Sequence, residues 1–291
     1  MKLSNLYNLA VKLGSDHDPR KGARISSYAD TAILYGSPST EVNKVLVGID
    51  MEAAELLLAD RIRDRDGLDL VISHHPEGSA FARLSDVMQL QVDLLKNAGI
   101  PERIAQKYLD ERRDEVARRV IAQNHTRPVD AARLLDLPFM CVHTPADNHA
   151  FWFITKLMEK GKPKTLHDVI DILLTVPEYQ TAQKINAGPR VILGSSKRRV
   201  GKILVEMTGG TEGSKDVFDK LYKTGVRTII SMHLSEEHFK KVKDANLNAV
   251  IAGHISSDTL GLNLLLDRIE CKSGETLQVT GCSGFTRIKR N

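Results

Sequence analysis

Short apolar runs alternate with longer amphipathic stretches along the chain. Residues 45–49 and 68–72 are apolar runs that predict buried strands. Residues 51–63 lie between them and predict a helix with Ala54, Leu57 and Leu58 on its inner face. A strand, a helix and a second strand in this order form a right-handed crossover between parallel strands. The pattern therefore predicts an α/β fold.

The same pattern predicts two lobes. Residues 80–137 are almost entirely helical in pattern and rich in charge, which indicates a helical insertion without site chemistry of its own. Gly188 and Pro189 form a pair typical of a sharp turn, and strands and helices alternate again after it. We therefore expect a first lobe over residues 1–187, including the insertion, and a second lobe over residues 188–291. Mainly parallel strands are expected in each lobe.

Histidine and aspartate side chains follow three of the predicted strands. In chain order they are His74, His75, His143, Asp147, His254 and Asp258. Because the carboxyl ends of parallel strands share one edge of a sheet, we expect these side chains to lie close together. Imidazole and carboxylate suit Zn, Fe or Mn, and the set is too large for one tetrahedral ion that keeps a water. The pattern therefore predicts two divalent transition-metal ions as cofactors.

Simpler explanations exist for each part of this pattern. A histidine pair on its own is common in loops. Asp147 could cap a helix that begins at residue 148, and Asp258 could be an exposed acid in a first helical turn. Asp50, at the end of the strand that precedes the histidine pair, suits a partner for an imidazole or a helix N-cap equally well. Their joint occurrence at three strand ends favours the metal centre.

A glycine-rich turn, TGGTEG at residues 208–213, lies between a predicted strand and a predicted helix. Backbone N–H groups in such a turn can bind phosphate, so Gly209, Gly210 and Thr211 are predicted to contact a substrate. No Lys-Ser or Lys-Thr follows the last glycine in the required position, which excludes a Walker motif. Glycines that only permit a tight turn explain the sequence equally well.

Composition narrows the class of protein. The chain is 42% hydrophobic and 27% charged with a net charge of +4, which is typical of a globular protein with a mixed surface. A solvated helix face explains the short basic clusters, so we expect no nucleic-acid partner. The three cysteines form no CxxC motif, no apolar stretch is long enough for a bilayer, and the N-terminal helix lacks a signal-peptide layout. A cytoplasmic protein without membrane contact is expected.

Three segments of the chain resemble the signature of the NIF-three-like (NIF3-like) family, some members of which are described as type-two GTP cyclohydrolase I. They are SHHP at residues 73–76, HTPAD at residues 143–147 and GHISSD at residues 253–258. The similarity spans roughly residues 45–270. The resemblance implies a two-lobed α/β fold, a dinuclear metal site between the lobes and a homo-oligomer, often a ring-shaped hexamer.

The resemblance also implies roles for the residues. The two adjacent histidines would bind different ions, Asp147 and His254 would complete one ion each, and Asp258 would bridge both. His143 would lie beside the site as a ligand or proton shuttle, and we predict a catalytic role for it. The family usually has glutamate where this chain has Asp258. The shorter side chain can bridge only if its helix lies closer or a water fills the gap.

The sequence thus predicts a dinuclear metal-dependent hydrolase that acts on a small phosphate- or nucleotide-containing substrate. A metal-bound hydroxide would be the nucleophile, and the ions would stabilise the developing oxyanion. The alternative is a metal-binding regulatory or interaction protein without turnover.

Overall fold

A computed structural model, which describes residues 1–290, contains two β-sheets surrounded by helices. The strands are β1 (Thr31–Tyr35), β2 (Lys44–Gly48), β3 (Leu70–Ser73), β4 (Phe139–Val142), β5 (Arg190–Leu193), β6 (Lys202–Glu206), β7 (Val226–Ser231), β8 (Asn248–Ile251) and β9 (Gln278–Cys282). The helices are α1 (Leu3–Ser15), α2 (Ala53–Asp66), α3 (Gly78–Ala82), α4 (Leu84–Val87), α5 (Leu90–Ala98), α6 (Glu102–Ile121), α7 (Arg127–Leu134), α8 (Thr144–Gly161), α9 (Leu166–Leu173), α10 (Pro177–Lys184), α11 (Phe218–Lys223), α12 (Glu236–Asp244) and α13 (His254–Ser273). The predicted α/β class and the helical segment between β3 and β4 are confirmed.

The two sheets share one strand order. The first runs β1-β4-β3-β2-β9 and the second runs β5-β8-β7-β6. In each sheet an antiparallel edge strand with a bulge pairs with the next strand in the order, and the strands after that one are parallel to it. Ser73 ends β3 and its Oγ donates to the backbone carbonyl of His75, at 2.8 Å, while Ser231 ends β7 and donates likewise to His233, at 2.6 Å. The two halves therefore repeat one unit, in which His233 is the counterpart of His75.

The last strand departs from this repeat. β9 follows all strands of the second sheet in the chain, yet it pairs in parallel with β2 of the first sheet, with Lys44 opposite Gln278 and Gly48 opposite Cys282. The chain therefore returns to the first sheet after α13, and the sheets do not separate at a single point of the sequence. The lobe boundary after residue 187 stays a prediction.

The buried face of α2 differs from the predicted one. The predicted inner face of Ala54, Leu57 and Leu58 is exposed, with Leu57 57% and Leu58 50% accessible, whereas Leu56 and Ala59 are buried. Each residue turns a helix by about 100°, so a shift of one position exchanges the faces of a helix that is apolar on more than one side. The prediction for Leu57 and Leu58 is therefore wrong.

Helices α8 and α13 pack against each other and contribute to the cores of both sheets. Ala146 and Leu262 belong to the core of the first sheet, and Ala150 and Leu260 belong to that of the second. The helices approach closely at Gly261, where a Cβ atom would lie 2.5 Å from the carbonyl oxygen of Ala146. Only a glycine lets α13 approach the backbone of α8 this closely.

This contact makes a prediction about the Gly261→Ala variant. Alanine is the better helix former by about 1 kcal/mol, yet we expect the variant to lower the free energy of unfolding by about 1–3 kcal/mol, because its methyl group meets a backbone carbonyl. Chemical denaturation measures this change. Cys271→Ala, at an exposed position of the same helix, serves as the control and should change the stability by less than about 0.5 kcal/mol. A gain in stability for Gly261→Ala would contradict the close contact.

Candidate metal centre

Strand β3 brings His74 and His75 to the carboxyl edge of the first sheet. The Nδ1 atom of buried His74 lies 3.1 Å from the carbonyl oxygen of Val142, and that of His75 lies 2.7 Å from Oδ1 of Asp50. Since Nδ1–H donates in both contacts, Nε2 of each ring is left as the nitrogen that can bind a metal. Asp50 thus holds an imidazole, and the N-cap position of α2 belongs to Glu52.

The two acids come from the N-terminal parts of α8 and α13. These helices begin at Thr144 and His254, and the first start lies four residues before the one at residue 148 that would make Asp147 a cap. Asp147 therefore lies inside its helix and is no N-cap. Asp258 is no exposed acid either, because only 1% of its surface is accessible, and Asp147 is only 5% exposed.

The side chains predicted as ligands lie together. Nε2 of His74 is 3.3 Å from Oδ1 of Asp147 and 3.5 Å from Oδ1 of Asp258. The other oxygen of Asp258, Oδ2, is 3.5 Å from Nε2 of His75 and 3.5 Å from Nε2 of His254. Two groups of possible ligands therefore share the carboxylate of Asp258. One group consists of His74, Asp147 and Asp258, and the other of His75, His254 and Asp258.

Two observations indicate that these residues are suited to bind a cation. Within residues 1–290, four buried atoms of the centre have no hydrogen-bond partner: Nε2 of His74, Oδ1 of Asp147 and both carboxylate oxygens of Asp258. Leaving such atoms unpaired costs about 1–3 kcal/mol each. Two ligand atoms about 2.1 Å from a tetrahedral ion lie about 3.4 Å apart, close to the N–O distances above. The buried histidines and aspartates could therefore bind metal ions.

Charge interactions shift the pKa values of these groups. Burial alone would lower the pKa of His74 and His75, but the nearby carboxylates, above all Asp258, raise these values to about 10 and about 9. Although burial opposes it, the two imidazoles hold the pKa of Asp258 well below its ordinary value. Without a metal ion the centre therefore holds protons at neutral pH, and metal binding must displace them.

His143 lies beside the two adjacent histidines. Its ring centroid is 4.9 Å from that of His74 and 5.9 Å from that of His75. Nδ1 of His143 lies 2.8 Å from Oδ2 of the fully buried Asp30, and its Nε2 lies 3.6 Å from Oδ2 of Asp147. Asp30 thus orients the ring so that Nε2 faces the ligand groups. Sequence reasoning missed Asp30, which lies in a segment without a clear hydrophobic pattern.

Sequence reasoning also missed His233. Its ring packs on that of His254 with a centroid distance of 4.6 Å, and its Nδ1 lies 3.5 Å from Oε1 of Glu212. The signal that could have indicated it is the repeat of the two halves, since Ser-x-His ends both β3 and β7. His233 therefore occupies, in the second half, the place that His75 occupies in the first.

A cavity opens beside these histidines. Gly210 and Thr211 line it together with His143, His233 and His254. Gly209, the third residue of the turn predicted to contact a substrate, does not line the cavity. It packs instead against α5, where a Cβ atom would come within 2.6 Å of a side chain. The turn thus borders the candidate metal centre through Gly210 and Thr211.

The sequence matches no family model and no curated protein. Among solved structures, the NIF3 superfamily protein from Sphaerobacter thermophilus superposes with a TM-score of 0.84 at 29% identity, over 98% of this chain and 99% of that one. The chain is thus similar to this NIF3 superfamily protein over nearly its whole length. The resemblance to the NIF3-like family that the three sequence segments predicted is thereby confirmed.

Other solved structures share the NIF3-like fold at lower identity. HcgD from Methanocaldococcus jannaschii has a TM-score of 0.55 at 15% identity, with 97% of each chain covered. A Bacillus cereus protein related to NIF3 has a TM-score of 0.53 at 10% identity, over 100% of this chain and 98% of that one. These similarities concern the fold alone. Among residues 1–290 of this NIF3-like chain, no helix has the length and apolar character needed to cross a membrane.

The raised pKa values predict how pH affects the stability of this NIF3-like protein. His74 and His75, with folded values of about 10 and about 9, stabilise the metal-free fold at low pH. This contribution is complete below the unfolded value of about 6.5 and is lost as the pH rises through the folded values. We expect the thermal unfolding temperature of metal-free protein to fall between about pH 7 and about pH 10.

The zinc-loaded protein is the control, because bound cations replace the charge of the lost protons while exposed lysines and tyrosines titrate equally in both samples. The quantity to compare is the difference in unfolding temperature between the two samples at each pH. A difference that stays constant over this range would contradict the assignment of the shifted values to the two histidines.

Proposed function

We propose that this protein is a metal-dependent hydrolase with two divalent transition-metal ions, Zn, Fe or Mn, held where the two lobes meet. The observation that supports two ions is the carboxylate of Asp258, whose oxygens face different groups of ligands. His74 and Asp147 would complete one group, and His75 and His254 would complete the other. When bound, such ions would activate a water molecule and polarise a substrate oxygen.

The close approach of the helices supports a bridging role for Asp258 despite its short side chain. Glutamate would reach further from the helix axis by one methylene. At Gly261, three residues after the aspartate, α13 comes nearer to the backbone of α8 than any side chain would permit. The short helix distance thus compensates for the short side chain.

The other residues of the site would orient groups and move protons. Asp50 and the carbonyl oxygen of Val142 keep the metal-facing nitrogens of the two adjacent histidines unprotonated when metal is bound. His143, held at Nδ1 by Asp30, would accept or donate a proton at Nε2. The turn that contains Gly209, Gly210 and Thr211 would bind the substrate, for which we propose a small phosphate- or nucleotide-containing molecule.

A second candidate function is a metal-binding regulatory or interaction protein without turnover. The unpartnered buried atoms support it, because a cation alone would satisfy them and no substrate is needed. Assembly into a homo-oligomer such as a hexamer remains a prediction for both functions.

Metal content tests the centre itself. We expect zinc-loaded wild-type protein to hold about two ions per chain, and His75→Ala to lose about one of them because a single ligand group is broken. Asp258→Ala should lose most of both, since its carboxylate belongs to both groups. Mass spectrometry of dialysed protein measures the ratio. His167→Ala, which removes an exposed histidine paired with Asp171, should leave it unchanged. A wild type that binds no transition metal would make the proposal untenable.

Turnover tests the choice between the two functions. On a panel of phosphoesters, nucleotides and amides, we expect metal-loaded wild type to hydrolyse at least one compound. His143→Gln should lower kcat by about 100-fold or more, because the proton carrier is lost, with metal content close to that of wild type. If metal content falls in parallel with kcat, His143 is a ligand instead. Bound metal without activity on any compound would favour the regulatory protein.

A further inference from the structure

The helical segment between β3 and β4 contacts the glycine-rich turn through one buried side chain. Gln91 in α5 is only 6% exposed, although glutamine is a polar residue. Its Nε2 donates to the carbonyl oxygens of both Gly209, at 2.8 Å, and Thr211, at 2.7 Å. A buried amide that uses both of its N–H bonds in this way fixes the orientation of two peptide groups.

The orientation of these peptide groups determines where their N–H bonds point. In a trans peptide the carbonyl and the following N–H point in opposite directions. Because the carbonyls of Gly209 and Thr211 face Gln91, the N–H groups of Gly210 and Glu212 face away from it. Neither N–H donates to another group within the part of the chain that spans residues 1–290.

The turn also borders the cavity beside the metal centre. The turn packs tightly against α4, because a Cβ atom on Gly210 would lie 2.6 Å from Cγ1 of Val87. The φ angles are positive, 105° at Gly209 and 82° at Gly210, and glycine adopts such angles more readily than other residues. Gly210 and Glu212 also line the cavity that His143 borders. The two free N–H groups therefore belong to residues that line the space in which a substrate would lie.

A second buried amide holds the start of the turn. Oγ1 of Thr208 donates to Oδ1 of Asn148 at 2.6 Å. Asn148 is fully buried and directly follows the candidate ligand Asp147 in α8. The turn is thus fixed relative to the metal centre by one contact from α8 and another from α5. Such preorganisation reduces the entropy lost when a ligand binds.

The carboxylate of Glu212 leaves the N–H groups of the turn free. It accepts from the backbone N–H of Ser235 and lies 3.5 Å from Nδ1 of His233. The negative charge next to the turn is therefore directed to a histidine and a backbone donor, and it does not compete for the N–H group of the same residue.

We propose that Gln91 is a positioning residue that orients the N–H groups of Gly210 and Glu212 toward the oxygens of a phosphoryl group of the substrate. This inference rests on the proposed hydrolase and specifies which group of its substrate the turn binds. Two N–H groups on the same side of the turn stabilise negative oxygens in a way that does not depend on any side chain of the turn. The helical segment thereby acquires a function in substrate binding without lining the metal centre.

The experiment measures binding of inorganic phosphate to zinc-loaded full-length protein by calorimetry, together with metal content and thermal stability. Gln91→Leu removes both donors and keeps a buried side chain of similar size. We expect it to weaken phosphate binding at least about tenfold while the metal content stays at the wild-type value. Gln89→Leu is the matched control, since it removes a glutamine of the same segment whose side chain, within residues 1–290, bonds to Gln106 and Arg113 and not to the turn. Its phosphate affinity should stay within about twofold of wild type.

A measurement on wild type keeps the test independent of how the variants fold. In NMR spectra of nitrogen-15-labelled, zinc-loaded protein, the amide signals of Gly210 and Glu212 should shift as phosphate is added. Zinc binding without phosphate binding, unshifted signals at both residues, or equal weakening in the two glutamine variants would each overturn the role of Gln91. None of these results affects the metal centre. Absence of zinc binding would instead overturn the proposed function, and this inference with it.

Discussion

The carboxylate of Asp258 is the group on which the arrangement of the site depends. It is buried, both of its oxygens lack hydrogen-bond partners within residues 1–290, and three imidazoles face it. A buried carboxylate is stable only beside positive charge, which protons on the histidines or metal ions can supply. The glycine contact between α13 and α8, and the acceptors that orient His74 and His75, all place groups around this one carboxylate.

The two halves of the chain repeat one unit but use it differently. His75 ends β3 and faces Asp258, whereas its counterpart His233 ends β7 and faces Glu212. At the position of His74 the second half has Met232, which cannot provide the same nitrogen ligand. The helical segment also belongs to the first half alone, since only α12 connects β7 to β8. One half therefore supplies the histidine pair, and the other supplies the turn that borders the cavity.

Features with strong local patterns were predictable from the sequence. The central strands β2, β3 and β4 are fully or almost fully buried and read as apolar runs, so their ends could be placed and the histidines after them recognised as neighbours. Strands β1, β5 and β9 could not be found in this way. They lie at sheet edges and are only partly buried, and runs as short as the three apolar residues of β5 do not distinguish a strand from part of a helix. The buried face of α2 was misjudged because leucines or alanines occur on several of its sides.

By itself, the sequence determined which residue types stand at the strand ends and how the three signature segments are spaced. These are local properties, because apolar periodicity and short spacings depend on neighbours in the chain. Tertiary structure decided the rest. The pairing of Asp30 with His143, the placement of His233 on His254 and the reach of Gln91 to the turn join residues that are far apart in sequence. Such contacts depend on how helices and sheets pack in three dimensions, and no local pattern encodes that packing.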